Sequence, residues 1–142
     1  MSNPPLKALA QKMAGINITM FSTQGTYGKM ATRPMSNNGE VEYDGTSYYF
    51  AFEDSSVVKD IKRDDQVALG LQSEQGVYVA VQGKATVTTD KSTMGDHWTP
   101  ALDPWFKDGV ETQGVVMIQV NAHHIRYWDA SSPKLDMGEI DL

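Results

Sequence analysis

Residues 66–72, QVALGLQ, and residues 77–88, VYVAVQGKATVT, are the stretch on which the fold turns. Both read as β-strands, the second being the longest in the chain, and Glu74-Gln75-Gly76 supplies a hairpin turn between them. Just upstream, Ser55 to Arg63 has helical spacing, with Val57, Val58 and Ile61 on its buried side and Asp54 or Ser55 as N-cap. Before it runs an aromatic strand, Ser47 to Glu53, which follows turns at Asn37-Asn38-Gly39 and Asp44-Gly45. Further back, Ile16, Ile18 and Met20 alternate with Asn17, Thr19 and Phe21 in a strand from Ile16 to Thr23. Gly25 to Gly28 returns the chain into a strand from Lys29 to Met35, which Pro34 is expected to end or bulge. A short helix starts at Asn3-Pro4-Pro5 with Asn3 as cap. It carries Leu6, Leu9, Ala10 and Met13 at helical spacing and stops at Gly15.

Downstream of the hairpin, Asp90 to Gly109 lacks alternation and holds Met94, Trp98, Leu102, Trp105 and Phe106, the pattern of one short helix and an aromatic-rich loop. Gly114 to Trp128 is the last expected strand. Residues 130–142 set Lys134 against Asp136, Glu139 and Asp141. This acidic tail is expected to be mobile, or to order only against a partner subunit. About six strands with two or three short helices predict a mainly β, closed or nearly closed antiparallel barrel.

The 142 residues suit a single domain, 1–142, because two cores of about 70 residues each would lie near the lower limit of independent stability. A hydrophobic share of 40%, with three Trp, six Tyr and four Phe, is too rich for a disordered chain. The net charge of −6 opposes nucleic acid and anionic membranes. The most basic segment, Lys59 to Arg63, is interrupted by Asp60 and followed by Asp64 and Asp65. Without cysteine there is no disulfide, thiolate zinc site or thiol redox chemistry. No run approaches the ~20 apolar residues of a membrane span, and residues 1–10 lack the pattern of a signal peptide, so the cytoplasm is the expected location.

Three segments together resemble the FMN-binding split-barrel family, of the general stress protein type related to pyridoxamine 5'-phosphate oxidase. They are Thr32-Arg33-Pro34-Met35 after a hairpin, Tyr48-Tyr49-Phe50-Ala51-Phe52 running into Ser55-Ser56 and Lys59, and Tyr127-Trp128-Asp129. Gly83-Lys84-Ala85 and the stretch from Trp98 to Pro104-Trp105-Phe106 resemble the general-stress branch. The ordered set spans roughly residues 16 to 129. The resemblance implies a split-barrel homodimer with two FMN sites at the subunit interface. It also implies that Arg33 to Met35 lies against the isoalloxazine edge and that Phe50 to Phe52 lines the same cleft. Ser55, Ser56 and Lys59 would hold the phosphate.

The residue chemistry suits such a ligand. FMN needs anion donors at one end and a dry cleft at the other. Ser55 and Ser56 sit where a helix begins, and the free N–H groups and dipole there favour an anion; Lys59, one turn on, adds a point charge. Ser55 also reads as an ordinary cap and Lys59 as a solvated lysine. Glu53 and Asp54 oppose a phosphate, although alternation turns Glu53 away from the face of Phe50 and Phe52. Arg33 suits a phosphate or the flavin's carbonyl edge, where its charge would stabilise reduced anionic flavin; its other reading is a surface arginine paired with Glu42 or Asp44. Trp98, Trp105 and Trp128 fit either a flavin cover, an interface or core filling, with Trp105 the best candidate for a mobile cover.

His123 and His124, neighbours on a strand, point to opposite faces, which argues against a shared metal ion. There is no Gly-x-Ser-x-Gly elbow, P-loop or Gly-x-Gly-x-x-Gly. The leading expectation is an FMN-binding oxidoreductase of the general-stress type with no identified catalytic side chain. Pyridoxamine-phosphate oxidase proper is disfavoured, because after Trp128 only Lys134 is cationic and no Arg or His is left to clamp a second phosphate. The third possibility is a regulatory dimer holding flavin, deazaflavin or haem without turnover.

Overall fold

Strand alternation organises the whole chain in the computed structural model, which describes residues 4–39 and 41–142. Helix α1 (Pro4–Lys12) precedes the hairpin of β1 (Ile18–Gln24) and β2 (Met30–Ser36). Next come β3 (Thr46–Phe52), α2 (Ser56–Arg63), β4 (Gln66–Gln72), β5 (Val77–Thr88) and α3 (Lys91–His97). β6 (Val115–Asp129) and β7 (Asp136–Asp141) complete the chain. The expected cap Asn3 lies outside the described residues. Among the described residues, no helix is long and apolar enough to cross a membrane.

All strands pair antiparallel in one curled sheet of order β2-β1-β4-β5-β6-β3, with β7 on the far half of β6. β2 and β3, at the two ends of this order, come near each other without pairing, which leaves the barrel split. Pro34 does not end β2. It sits opposite Met20 on an edge strand, where a missing N–H costs the sheet little.

The barrel interior is filled from every strand. Phe21, Tyr49, Leu69, Val81, Val116, Ile118 and Ile125 are almost completely buried, and α2 adds Val57, Val58 and Ile61. Phe21 packs edge-on against Tyr49 at 5.1 Å, and the Tyr49 hydroxyl bonds Thr19 at 3.1 Å. α1 closes one end with Leu6, Leu9 and Met13.

One bulge sets the geometry of β6. Gln82 pairs with His124 but Gly83 pairs with Ala122, so His123 is the extra residue. Before the bulge Val116, Ile118 and Val120 point inward; after it Ile125 does. A Cβ on Gly83 would lie 2.4 Å from the Asn121 carbonyl oxygen, which is why glycine stands there.

Two expectations need correction. The described residues form seven strands, and residues 130–142 are not a loose tail: Asp136 to Asp141 pairs in register with His124 to Asp129 of the same chain. Alternating burial within β7 is confined to Ile140, which joins the barrel core, and this single apolar anchor among acidic residues hid the strand. The Lys12 ammonium adds a clasp, 2.8 Å from Asp129 and 3.7 Å from Asp136.

Candidate functional site

The start of α2 is the most distinctive polar corner. Ser55 occupies the N-cap position with extended backbone, yet its hydroxyl makes no capping bond. Its Oγ is buried and has no hydrogen-bond partner. The first-turn N–H groups of any helix lack intrahelical acceptors, and here the first turn carries no acidic residue. Ser56 and Lys59 are exposed beside this corner. Glu53 leans away, 3.8 Å from the Lys62 ammonium, and both are exposed. The corner therefore offers unused donors to an anion.

Behind it lies a buried charge network that joins β1, β2 and α2. Asp60 is 6% exposed. It accepts from Thr23 Oγ1 at 2.7 Å and from Arg63 at 2.7 Å, and the Arg33 guanidinium lies 3.5 Å away. Arg33 also donates to Thr23 Oγ1 at 2.9 Å and to the Phe21 carbonyl at 3.3 Å. Burial opposes ionisation of Asp60, but the Thr23 hydroxyl and Arg63, then Arg33, outweigh it and hold the carboxyl below its usual range. Arg33 is thus paired with Asp60, not with Glu42 or Asp44. Asp60 was legible only by position: it shares the helical face of Val57 and Ile61, where a carboxylate must find partners.

The other expected site residues divide by strand face. Thr32 and Pro34 point outward, while Arg33 and Met35 point toward the interior, where Met35 packs on the barrel core. Ala51 is buried in that core. Phe50 and Phe52 face the opposite side of β3 under a separate aromatic cluster. Phe50 meets Trp98 edge-on at 4.8 Å, and Phe52, still 41% exposed, meets Phe106 at 5.1 Å. Met94, Leu102, Val115 and Met117 complete that cluster. Within one chain, Phe50 and Ala51 therefore do not line one cleft. Trp105 is 73% exposed on the turn before Phe106.

Trp128 belongs to a bare outer face. The pairings place Pro34, Met20, Gly70, Ala80 and Arg126 in one row across β2, β1, β4, β5 and β6. Tyr78, Trp128 and Met137 form a second row across β5, β6 and β7. Ile18, Met20, Tyr78 and Met137 are each more than 40% exposed there. A shallow depression of about 540 Å³ lies among Ile18, Met20, Gly70, Tyr78 and Trp128.

A family model described as pyridoxamine 5'-phosphate oxidase like matches residues 5–139. The chain belongs to that family. Solved structures of the same shape accompany the match. General stress protein 26 from Bacillus anthracis aligns over 96% of this chain and 98% of its own, with TM-score 0.77 and 22% identity. The general stress FMN/FAD binding protein from Xanthomonas citri aligns over 99% of each chain, with TM-score 0.77 and 18% identity. A Clostridium acetobutylicum protein related to general stress protein 26, of the pyridoxinephosphate oxidase family, covers 98% and 97%, with TM-score 0.77 and 14% identity. No curated protein sequence matches the chain. In this pyridoxamine 5'-phosphate oxidase-like protein the fold is the split barrel of these structures.

Proposed function

We propose that this protein is an FMN-binding, general-stress-type flavoprotein that acts as a homodimer in oxidoreductase chemistry. The buried, unbonded Ser55 hydroxyl at the start of α2 carries the reading. A phosphate dianion placed there would receive the Ser55 and Ser56 hydroxyls and the free backbone N–H groups, with Lys59 as a point charge one turn on. Asp60 does not oppose it, because Arg33 and Arg63 neutralise that carboxylate. Arg33 would serve the site chiefly by fastening β2 to α2, with Met35 and Ala51 as the packing behind it. The Xanthomonas citri protein, described as FMN/FAD binding, supports a flavin; a terminal phosphate on a dianion-binding corner favours FMN.

The bare face supports the dimer. Contiguous exposed apolar surface marks an interaction site, and a second copy over Ile18, Met20, Pro34 and Tyr78 would shelter a flat ring between subunits. Thr32, Pro34 and Trp128 would border the ring, with Phe52 and Trp105 available as a cover from the aromatic cluster. When bound, the flavin supplies hydride and electron transfer, and the protein supplies placement and shielding.

FMN titration, with riboflavin as control, tests this reading. Lys59→Ala is expected to weaken FMN by about 1–3 kcal/mol, as for loss of a charge-assisted bond, and to leave riboflavin unchanged. Ser55→Ala acts in the same direction. Equal weakening of both ligands, or a wild-type protein indifferent to FMN, refutes the assignment.

A further inference from the structure

We propose that the end of the barrel beside the start of β3 is a second binding site, for a small aryl-alkyl ammonium ion bearing a neutral hydrogen-bonding group. A cavity of about 260 Å³ opens there between the end of α1, residues 37–39 and 41–44, β3 and the end of α3. It is lined by Thr46 to Tyr49 at the start of β3, whereas the α2 corner follows the other end of that strand. It is a different place from the proposed flavin site.

Two of its lining hydroxyls, Tyr43 and Ser47, are buried without a hydrogen-bond partner. Ser47 is only 8% exposed. Its hydroxyl, with that of Thr19, also acts on the Tyr49 phenol, opposing the upward push of burial. Most buried polar groups in proteins are bonded, so two orphans in one cavity indicate a missing ligand group. Burial first, then Tyr49 and Asp44, pushes the Tyr43 phenol well above its ordinary range, so its proton stays available to donate.

The walls argue against a merely wet cavity. The volume equals about nine waters of liquid, but much of the lining is aromatic. Tyr48 and His97 stack at 3.5 Å with Trp98 on the same side of β3, and Tyr49 lines the cavity from the barrel side. The mouth selects charge. Glu42, Asp44 and Asp96 line it and are exposed, and no Lys or Arg is among the described lining residues. Anions are repelled and an organic cation is drawn in, with the aromatic faces adding cation–π attraction. The ligand's cation therefore sits toward the mouth, and its neutral donor–acceptor group reaches Tyr43 and Ser47.

Tyramine is the probe, with phenethylamine lacking the hydroxyl and 3-(4-hydroxyphenyl)propionate lacking the cation. Binding to the full chain is followed by calorimetry and by amide shifts at Tyr48, Asp96 and His97. Tyramine is expected to bind about tenfold more tightly than either control, the factor for one net hydrogen bond or charge contact. Ser47→Ala and Tyr43→Phe are each expected to weaken tyramine about fivefold to tenfold, to leave phenethylamine within about twofold, and to leave FMN titration unchanged. Without ligand both variants should melt at or above the wild-type temperature, because each removes an unsatisfied group. Three results overturn the proposal: no tyramine binding, the propionate binding as tightly as tyramine, or a fall in melting temperature showing that the hydroxyls already have partners.

Discussion

Strand β3 divides two apolar clusters built by different rules. On one side Ser47, Tyr49 and Ala51 face the barrel, whose layers come from paired strands, α2 and α1. On the other, Tyr48, Phe50 and Phe52 face a cap made of the seven-residue α3, two 3-10 turns and loop aromatics. The barrel side is held from all directions by sheet pairing. The cap is held by Trp98, Phe106, Met94 and Leu102, with few backbone bonds to the sheet. A cluster tied down mainly by side chains can open without dissolving the sheet, so the two should differ in cooperativity rather than only in strength.

Phe21→Ala should break the barrel side with the largest effect, about 3–5 kcal/mol in equilibrium denaturation, because the ring is wholly enclosed. The loss should be global. Asp60→Asn comes next, at about 3 kcal/mol or slightly more, since it leaves Arg33 and Arg63 facing each other in a partly buried space. Phe106→Ala should cost less, about 2–3 kcal/mol, below the usual range for enclosed rings. Hydrogen exchange would sharpen the contrast: protection should fall across 91–111 while β4 and β5 remain protected. Fast exchange throughout would show that cap and barrel form one unit.

The smallest effect concerns pH. The Lys12 hydrogen bond first, then Ser131, holds the Asp129 carboxyl down at about 2. Its folded value lies below the unfolded one, so its stabilisation is present above about pH 4 and is lost as pH falls toward 2. Acid unfolding of Asp129→Asn should be less steep across that window than that of wild type, and Lys12→Met should behave alike.

Much of this was legible in the sequence. The strands from Ile16 to Thr88 follow alternation, and α2 is marked by Val57, Val58 and Ile61. The cap's existence was legible from Trp98, Leu102 and Phe106, but not its target, because periodicity says nothing about which sheet face a loop covers. Three features were hidden for definite reasons. β7 offers only Ile140 to the core. The bulge at His123 shifts the phase of β6 midway, so no single alternation fits it. The Ser55 hydroxyl reads as a helix cap by type, and only its missing bond sets it apart.

β6 passes its outer edge from one neighbour to another: Val115 to Asn121 pair with β3, and His124 to Asp129 with β7. Remove β7 and six residues of bare amide and carbonyl become a template for any extended chain nearby. Asp136, Glu139 and Asp141 fasten this cover in place, paired with Lys12, Arg126 and His124. Cutting the chain before Asp136 should therefore yield fibrils or precipitate sooner than an unfolded monomer.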